Sequence, residues 1–557
     1  MHNVYATKIE TLQDCGGGCS FFFDVIAPLW EGATHEPRPL HRLCTLMRKM
    51  GARSFLAEEL AAFSELTEEE SAATIRCKNA VRAKAVRLTF FRSLPGSLSW
   101  HDLADGDLLG YAVVVTLTLP NGTVRKYVLE SVVRAPTQWV KADGELETPF
   151  LATNYYVHCC RPFRTTIGTN LDSRVFEIVG TFFCQQNNLT HVCGHAALRA
   201  AINSAPFFRG EKLTNTKINQ ILGIDHELRK VGEYDEPEPD ESDDSPSRGL
   251  NAKQLEEVIR SEGLDAHVVD FDLQTAVDYE TYVYPLIESA CPTILGVKRE
   301  ALDRKRPPVM HVVTAVGHTI DSDRWTPEAR ISYGSFPIVP LISSSNWADH
   351  FIVSDDNHGM YLTLPTDEVR NVLVPKYNPG LHAVAAIGIV PRGVTVSGYI
   401  AEQTAAWVMK RLWKIPEVGV NRWLGILKKG PFVCRTLLQE RTDYVGAMES
   451  TVDSEEHGLS SAELDEIRGV LPKRFWVTEF TVPNLLNGNR SKLGDVVTRA
   501  DATQAQVRNI ECIVFAWMPG FARITPALRA GLPTWPLVGH VPILRTGGKP
   551  SPPRLEW

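Results

Sequence analysis

The chain has 557 residues, of which 44% are hydrophobic and 22% charged, and its formal net charge is −8 at pH 7. This composition excludes a disordered or fibrous protein, and the length predicts about three domains. Apart from one acidic run at 233–244 the chain is near neutral, so no basic surface predicts nucleic acid as a partner. No run of about 18 apolar residues indicates a membrane span, and residues 1–10 lack the apolar core of a secretory signal, so we expect a cytoplasmic protein.

Residues 1–150 predict an accessory domain that is helical first and then rich in β-hairpins. Thr67 and Glu70 have the spacing of a capping box, which predicts a helix here within a mostly helical segment up to about residue 80. Residues 111–119 and 123–133 are rich in Val, and the turn sequence Pro-Asn-Gly separates them. This pattern predicts a β-hairpin.

The stretch 185–204 changes character at a single cysteine. Its sequence, QQNNLTHVCGHAALRAAINS, starts with polar amides and becomes an Ala-rich segment without proline after Cys193. These residues predict a loop followed by a helix that begins at the cysteine. The free N–H groups and the dipole at a helix N-terminus stabilise a thiolate, so we expect Cys193 to be a nucleophile.

An acidic run interrupts the chain after this helix. Residues 233–244 contain eight acids and no base, which predicts a mobile surface insertion at 231–248.

Asn251 is the expected N-cap of the next helix, which is followed by a strand at 266–271 and a helix at 279–289. Further strands are expected at 293–297, 309–316 and 351–354. This order of elements predicts an α+β fold.

Residues 376–557 predict a C-terminal α+β accessory domain. An apolar stripe from Ile400 to Ile415 indicates a helix that Pro416 ends, and Ser460 with Glu463 has the spacing of a second capping box. Residues 475–482 and 512–518 are predicted strands.

Cysteine catalysis requires a base near the sulfur, a group that orients the base, and donors for the oxyanion. His311 lies at the start of a predicted strand and is the candidate base. Asp355 begins the turn after the next predicted strand and is the candidate partner of the imidazole. Gln186, seven residues before Cys193, is the candidate oxyanion donor, together with the backbone N–H of Cys193.

Three motifs in this order resemble the papain-like cysteine peptidases, most of all the double-glycine type that processes bacteriocin leaders. They are Gln…Cys-Gly-His-Ala-Ala-Leu, Pro-Val-Met-His-Val-Val-Thr-Ala-Val-Gly and Phe-Ile-Val-Ser-Asp-Asp-Asn. The resemblance covers residues 175–375 and implies a central peptidase domain at 151–375, with a nucleophile helix packed on an antiparallel sheet. It implies Cys193 as nucleophile, His311 as general base and acid, Asp355 as its orienter and Gln186 as oxyanion donor. Gln185 and Asp356 stay open as alternates.

The implied activity is hydrolysis of a protein or peptide substrate through a thioester, without a cofactor. An amine or thiol that enters in place of water would give a transferase, and a blocked cleft would leave a non-catalytic interaction scaffold.

Two patterns raise zinc as an alternative. Cys15 and Cys19, or the pair Cys159 and Cys160, have ligand-like spacings, but buried or incidental thiols are the favoured interpretation. His191, Cys193 and His195 alternate along the chain, but a loop and a first helical turn need not bring them together. We therefore predict no metal, and the eleven scattered cysteines indicate free thiols in a reducing compartment.

Overall fold

The computed structural model combines α-helices with largely antiparallel sheets, which confirms the predicted α+β class at this level. None of the described helices has both the length and the apolar character of a membrane span. The structure describes residues 4–15, 30, 38–135, 139–140, 146–147, 155–224, 249–271, 278–299, 309–320, 332–335, 340–366, 369–370, 381–412, 431–452, 461–489, 491–508, 511–518, 521–524, 535–536 and 544–545. The acidic insertion at 231–248, Cys19, Pro416 and Ser460 lie outside these ranges.

The chain divides into two compact units that are not consecutive in sequence. The first comprises Met1–Val268, Pro292–Gly317 and Ile352–Leu364, and the second comprises Val269–Cys291, His318–Phe351 and Pro365–Trp557. The division of the chain near residues 150 and 375 stays a prediction. All the candidate site residues belong to the first unit.

One sheet of the first unit has the strand order β1-β3-β4-β5-β6-β11-β10, with β2 paired to β3. The hairpin expected at 111–133 is confirmed as β5 and β6, which pair in antiparallel register. The strands of this part of the chain, including the short pair β7 and β8, are β1 (Ala6–Ile9), β2 (Gln13–Asp14), β3 (Ser54–Leu60), β4 (Arg82–Phe91), β5 (Leu108–Thr118), β6 (Val124–Arg134), β7 (Trp139–Val140), β8 (Leu146–Glu147), β9 (Tyr155–Val157), β10 (Arg161–Gly168) and β11 (Ser173–Phe183).

The prediction that residues 1 to about 80 are mostly helical is wrong. Strands β1, β2 and β3 alternate here with helices α1 (Arg38–Lys49) and α2 (Ser64–Cys77). The proposed capping box is also wrong, because α2 begins at Ser64 and the Thr67 hydroxyl donates back to the Phe63 carbonyl. In β3, Glu58 lies opposite Arg87 of β4 and forms a buried ion pair at 2.7 Å, so pairing with β4 overrides the helix propensity of this segment.

Helix α3 (Cys193–Ser204) packs between two strands and is almost wholly buried. The Ser204 hydroxyl accepts from the backbone N–H of Phe182 in β11 at 2.9 Å, and the Thr314 hydroxyl donates to the Ala197 carbonyl at 3.2 Å. Thr314 belongs to a second sheet, in which β13-β14-β17-β18 are successive neighbours and β9 also pairs with β14. The four neighbours are β13 (Thr293–Arg299), β14 (Val309–Thr319), β17 (His350–Asp355) and β18 (Gly359–Pro365). Strand β12 (Leu264–Asp270) lies at the other end of the same sheet.

Two more helices complete the described part of the first unit, α4 (Asn215–Leu222) and α5 (Ala252–Ser261). Asn251 is the N-cap of α5 as predicted, since its side-chain oxygen accepts from the Gln254 N–H at 3.0 Å.

We expect Asn251→Ala to destabilise the first turn of α5 by about 1 kcal/mol, because the Gln254 N–H loses its acceptor. Hydrogen exchange of α5 amides should then be about fivefold faster, and Asn251→Asp, which keeps an acceptor, should restore most of the protection.

The second unit contains a sheet with the order β15-β16-β21-β22-β24-β25-β26-β27. The sheet carries helices whose side chains, such as Tyr444, Met448 and Ile467, pack with Phe475 and Val477 of β22. The predicted elements near 400, 475 and 512 are confirmed as α7, β22 and β25. The elements are α6 (Tyr279–Glu288), β15 (Ser332–Ser335), β16 (Pro340–Ser343), β19 (Val369–Arg370), β20 (Leu381–Pro391), α7 (Gly398–Leu412), β21 (Phe432–Glu440), α8 (Arg441–Val452), α9 (Ser461–Val470), β22 (Arg474–Thr481), α10 (Pro483–Asn489), β23 (Ser491–Lys492), β24 (Gly494–Arg499), α11 (Gln504–Arg508), β25 (Ile513–Met518), β26 (Phe521–Ile524), β27 (Trp535–Pro536) and β28 (Leu544–Arg545).

Candidate active site

Cys193 is the first residue of α3, as the sequence predicts. Val192 before it is extended, and its backbone N–H lies 3.4 Å from Nδ1 of His195. Cys193 is partly exposed, whereas the rest of α3 is buried. The thiol therefore lies at the N-terminus of α3, beside its first backbone N–H groups, and the buried remainder of the helix anchors it.

The loop before Cys193 is held by one side chain. The Asn187 side-chain oxygen accepts from the backbone N–H groups of Leu189, Thr190 and His191 at 2.9, 2.9 and 3.3 Å. Its amide group donates to the Thr190 hydroxyl at 2.8 Å and to Glu69 at 3.2 Å. Asn187 thus fixes the backbone that leads from Gln186 to Cys193.

Glu69 of α2 lies beneath this loop and is buried. It accepts from the Tyr127 hydroxyl at 2.7 Å and from the Asn215 amide at 2.8 Å, and Nε2 of His191 lies 3.3 Å from its carboxylate. Burial alone would raise the pKa of Glu69, but His191 and the hydrogen-bond donors outweigh it and lower the pKa to about 2. The buried carboxylate therefore stays ionised.

His311 lies on β14, next to β17 in the sheet, with about a fifth of its side chain exposed. Nε2 of its ring is 3.3 Å from Oδ1 of Asp355 and 3.5 Å from Oδ1 of Asp356. Burial lowers the pKa of His311, but the contacts with Asp355, Cys193 and Asp356 outweigh burial and raise the pKa to about 10. A protonated imidazole can therefore lie beside the thiol at neutral pH.

The two acids after β17 differ in environment. Burial alone would raise the pKa of Asp355, but His311 and the backbone N–H of Asn357, which donates to Oδ1 at 2.8 Å, hold it below its usual value. Asp356 is more deeply buried, and burial raises its pKa to about 7 although His311 opposes the shift. Asp355 is therefore the acid that carries a full negative charge beside His311.

The two glutamines have different surroundings. The side-chain amide of Gln186 donates to the Asn357 side-chain oxygen at 3.3 Å, so Gln186 lies next to the turn that carries Asp355. Gln185 is buried and pairs with β6, because its backbone N–H donates to the Val128 carbonyl and its side-chain oxygen accepts from the Val128 N–H. This geometry favours Gln186 over Gln185 as an oxyanion donor.

The two histidines that flank Cys193 do not join it in a ligand set. Nε2 of His191 faces Glu69, and Nε2 of His195 lies 2.9 Å from the Asn219 side-chain oxygen. Cys159 and Cys160 are both buried and form no disulfide. In the first unit, and within the described ranges, the group whose atoms approach one another as metal ligands do is His311, Asp355 and Asp356.

Sequence reasoning missed Glu69 and Asn357. Glu69 lies 118 residues before Asn187, and no motif links the two positions. The sequence does contain one signal, because Glu65 and Glu69 are one turn apart and interrupt the apolar face of a helix. Both are buried, Glu65 beside Arg199 of α3 and Glu69 beside Asn187. Asn357 belongs to the Asp-Asp-Asn motif but was given no role.

No protein-family model and no curated protein matches this chain.

Proposed function

We propose that the first unit is a papain-like cysteine peptidase or amide hydrolase, with Cys193, His311 and Asp355 as its triad. The observation that carries this proposal is that Nε2 of His311 lies 3.3 Å from Oδ1 of Asp355, while an interaction with the Cys193 side chain helps to raise the His311 pKa. Cysteine acyl transfer needs a thiol next to an imidazole and a carboxylate on the other side of that imidazole. The free state of the ten described cysteines supports a cytoplasmic location.

The chemistry proceeds through a thioester. The Cys193 thiolate attacks the carbonyl carbon, and the Gln186 amide with the backbone N–H of Cys193 stabilises the oxyanion. The His311 imidazolium gives its proton to the leaving amine as the C–N bond breaks. The neutral imidazole then takes a proton from water, whose oxygen attacks the thioester and releases the acid and the thiol.

The rate of alkylation by iodoacetamide at pH 7 tests whether Cys193 reacts as a thiolate. We expect Cys193 to be modified at least about tenfold faster than Cys77, because Cys193 begins a helix and Cys77 ends one, although both are partly exposed. Burial also raises the pKa of Cys77. The measurement is peptide mass spectrometry after short exposures, and His311→Ala should remove the advantage of Cys193. Equal rates at the two cysteines, insensitive to His311, would exclude the proposed triad.

A further inference from the structure

Asp356 is an unexplained group at the candidate active site. Its side chain is only 4% exposed, and neither of its carboxylate oxygens has a well-aligned hydrogen-bond partner among the described residues. A buried carboxylate whose neighbours, the backbone N–H groups of Asp356 and Asn357 and the His311 ring at 3.5 Å, form no well-aligned hydrogen bond with it is costly and calls for a physical explanation. Asp355 already occupies the place of the acid in the triad, so catalysis by Cys193 and His311 does not explain a second one.

The distances around Asp356 match those between the ligands of a zinc ion. Nε2 of His311 is 3.3 Å from Oδ1 of Asp355 and 3.5 Å from Oδ1 of Asp356. Ligand atoms about 2.0–2.2 Å from tetrahedral Zn²⁺ lie about 3.3–3.6 Å from one another. The ligand atoms of all three residues lie within 4.8 Å of one another, so a small movement of the carboxylates lets one cation contact all three.

The charges and the access also suit a divalent cation. Zinc binding releases the proton from Nε2 of His311, after which two carboxylates and a neutral imidazole carry a total charge that a divalent ion neutralises. Oδ2 of Asp355 lies 3.3 Å from Nδ1 of His358, which leaves Oδ1 directed to His311. Asp355 and His311 are 15% and 21% exposed, so an ion can reach them from solvent while Asp356 closes the buried side.

We propose that His311, Asp355 and Asp356 form an inhibitory site for Zn²⁺. A neutral imidazole that binds zinc through Nε2 carries its proton on Nδ1 and has no free lone pair left to accept the thiol proton. Zinc also occupies the oxygen of Asp355 that would orient the ring. The binding part of this inference is independent of the proposed function, whereas the inhibition rests on it.

Zinc binding is tested on the full chain after reduction and chelation, by competition between the protein and a chromogenic chelator. Because cysteine thiolates elsewhere in the chain can also take up zinc, the variants are compared with one another. We expect the wild type to hold one zinc ion that Asp356→Asn and His311→Ala each bind at least about tenfold more weakly. Cys193→Ala, which removes a thiol but no proposed ligand, should keep this ion. Equal zinc binding by wild type and Asp356→Asn, with both folded by circular dichroism, would overturn the site.

Iodoacetamide alkylation of Cys193 separates this inference from the proposed function. Stoichiometric zinc should slow alkylation of the wild type at least about tenfold, because the imidazole can no longer hold the thiol proton. If zinc binds and depends on Asp356, but Cys193 is unreactive even without metal, the site stands and the peptidase fails. If Cys193 reacts and zinc changes neither its rate nor the competition signal, the inhibitory site is excluded and the peptidase stands.

Discussion

Replacing Asp355 by asparagine is expected to slow formation of the acyl-enzyme by about a hundredfold or more. The Asp355 carboxylate lies 3.3 Å from Nε2 of His311 and contributes to the raised pKa of the imidazole. A neutral amide cannot stabilise the imidazolium, so the acid that protonates the leaving group is less available. The measurement is the burst of p-nitrophenol release from p-nitrophenyl acetate, with intact-mass detection of the acetylated protein.

Asp356→Asn is the matched comparison for this prediction. Burial raises the pKa of Asp356 to about 7, so this group carries less charge at neutral pH than Asp355, and we expect a smaller effect on the burst. Cys193→Ala gives the background rate of the same assay. A larger loss in Asp356→Asn than in Asp355→Asn, measured without zinc, would reverse the roles assigned to the two acids.

The elements that carry Cys193, His311 and Asp355 could be predicted from the sequence because each depends on local patterns. An Ala-rich segment after a polar loop forms α3, β-branched residues form β14, and Asp-Asp-Asn-His-Gly forms the turn after β17. Their convergence came from the resemblance to a known family, since local patterns do not specify which strands become neighbours.

The support beneath Cys193 could not be predicted in this way. Glu69 reaches Asn187, His191 and Asn215 only because α2 packs against the loop, a tertiary arrangement that leaves no periodic signal. The same limit explains the error at β3, where Glu58 forms a buried pair with Arg87 in a segment of good helix formers. Buried charges placed by distant partners are the feature that single-sequence patterns miss in this protein.

Glu69→Gln should destabilise the first unit by about 3 kcal/mol at pH 7. The carboxylate accepts from the Tyr127 hydroxyl and from the amides of Asn187 and Asn215, and it faces His191 at 3.3 Å. A glutamine offers one oxygen to these groups and turns an NH₂ toward the rest, so buried donors lose their acceptor. Differential scanning calorimetry measures the change, and Glu59→Gln, which alters an exposed pair with Lys8, should have little effect.

The difference between wild type and Glu69→Gln should shrink as the pH falls. Glu69 has a pKa of about 2 in the folded protein against 4.5 for an unperturbed carboxyl. A lowered folded-state pKa means that the ionised group stabilises the fold fully above about pH 4.5 and that this contribution disappears toward pH 2. If the difference in unfolding free energy between wild type and Glu69→Gln stays constant from pH 7 to pH 3, the charge of Glu69 does not stabilise the loop before Cys193. The loss in the variant would then come from contacts that do not depend on that charge.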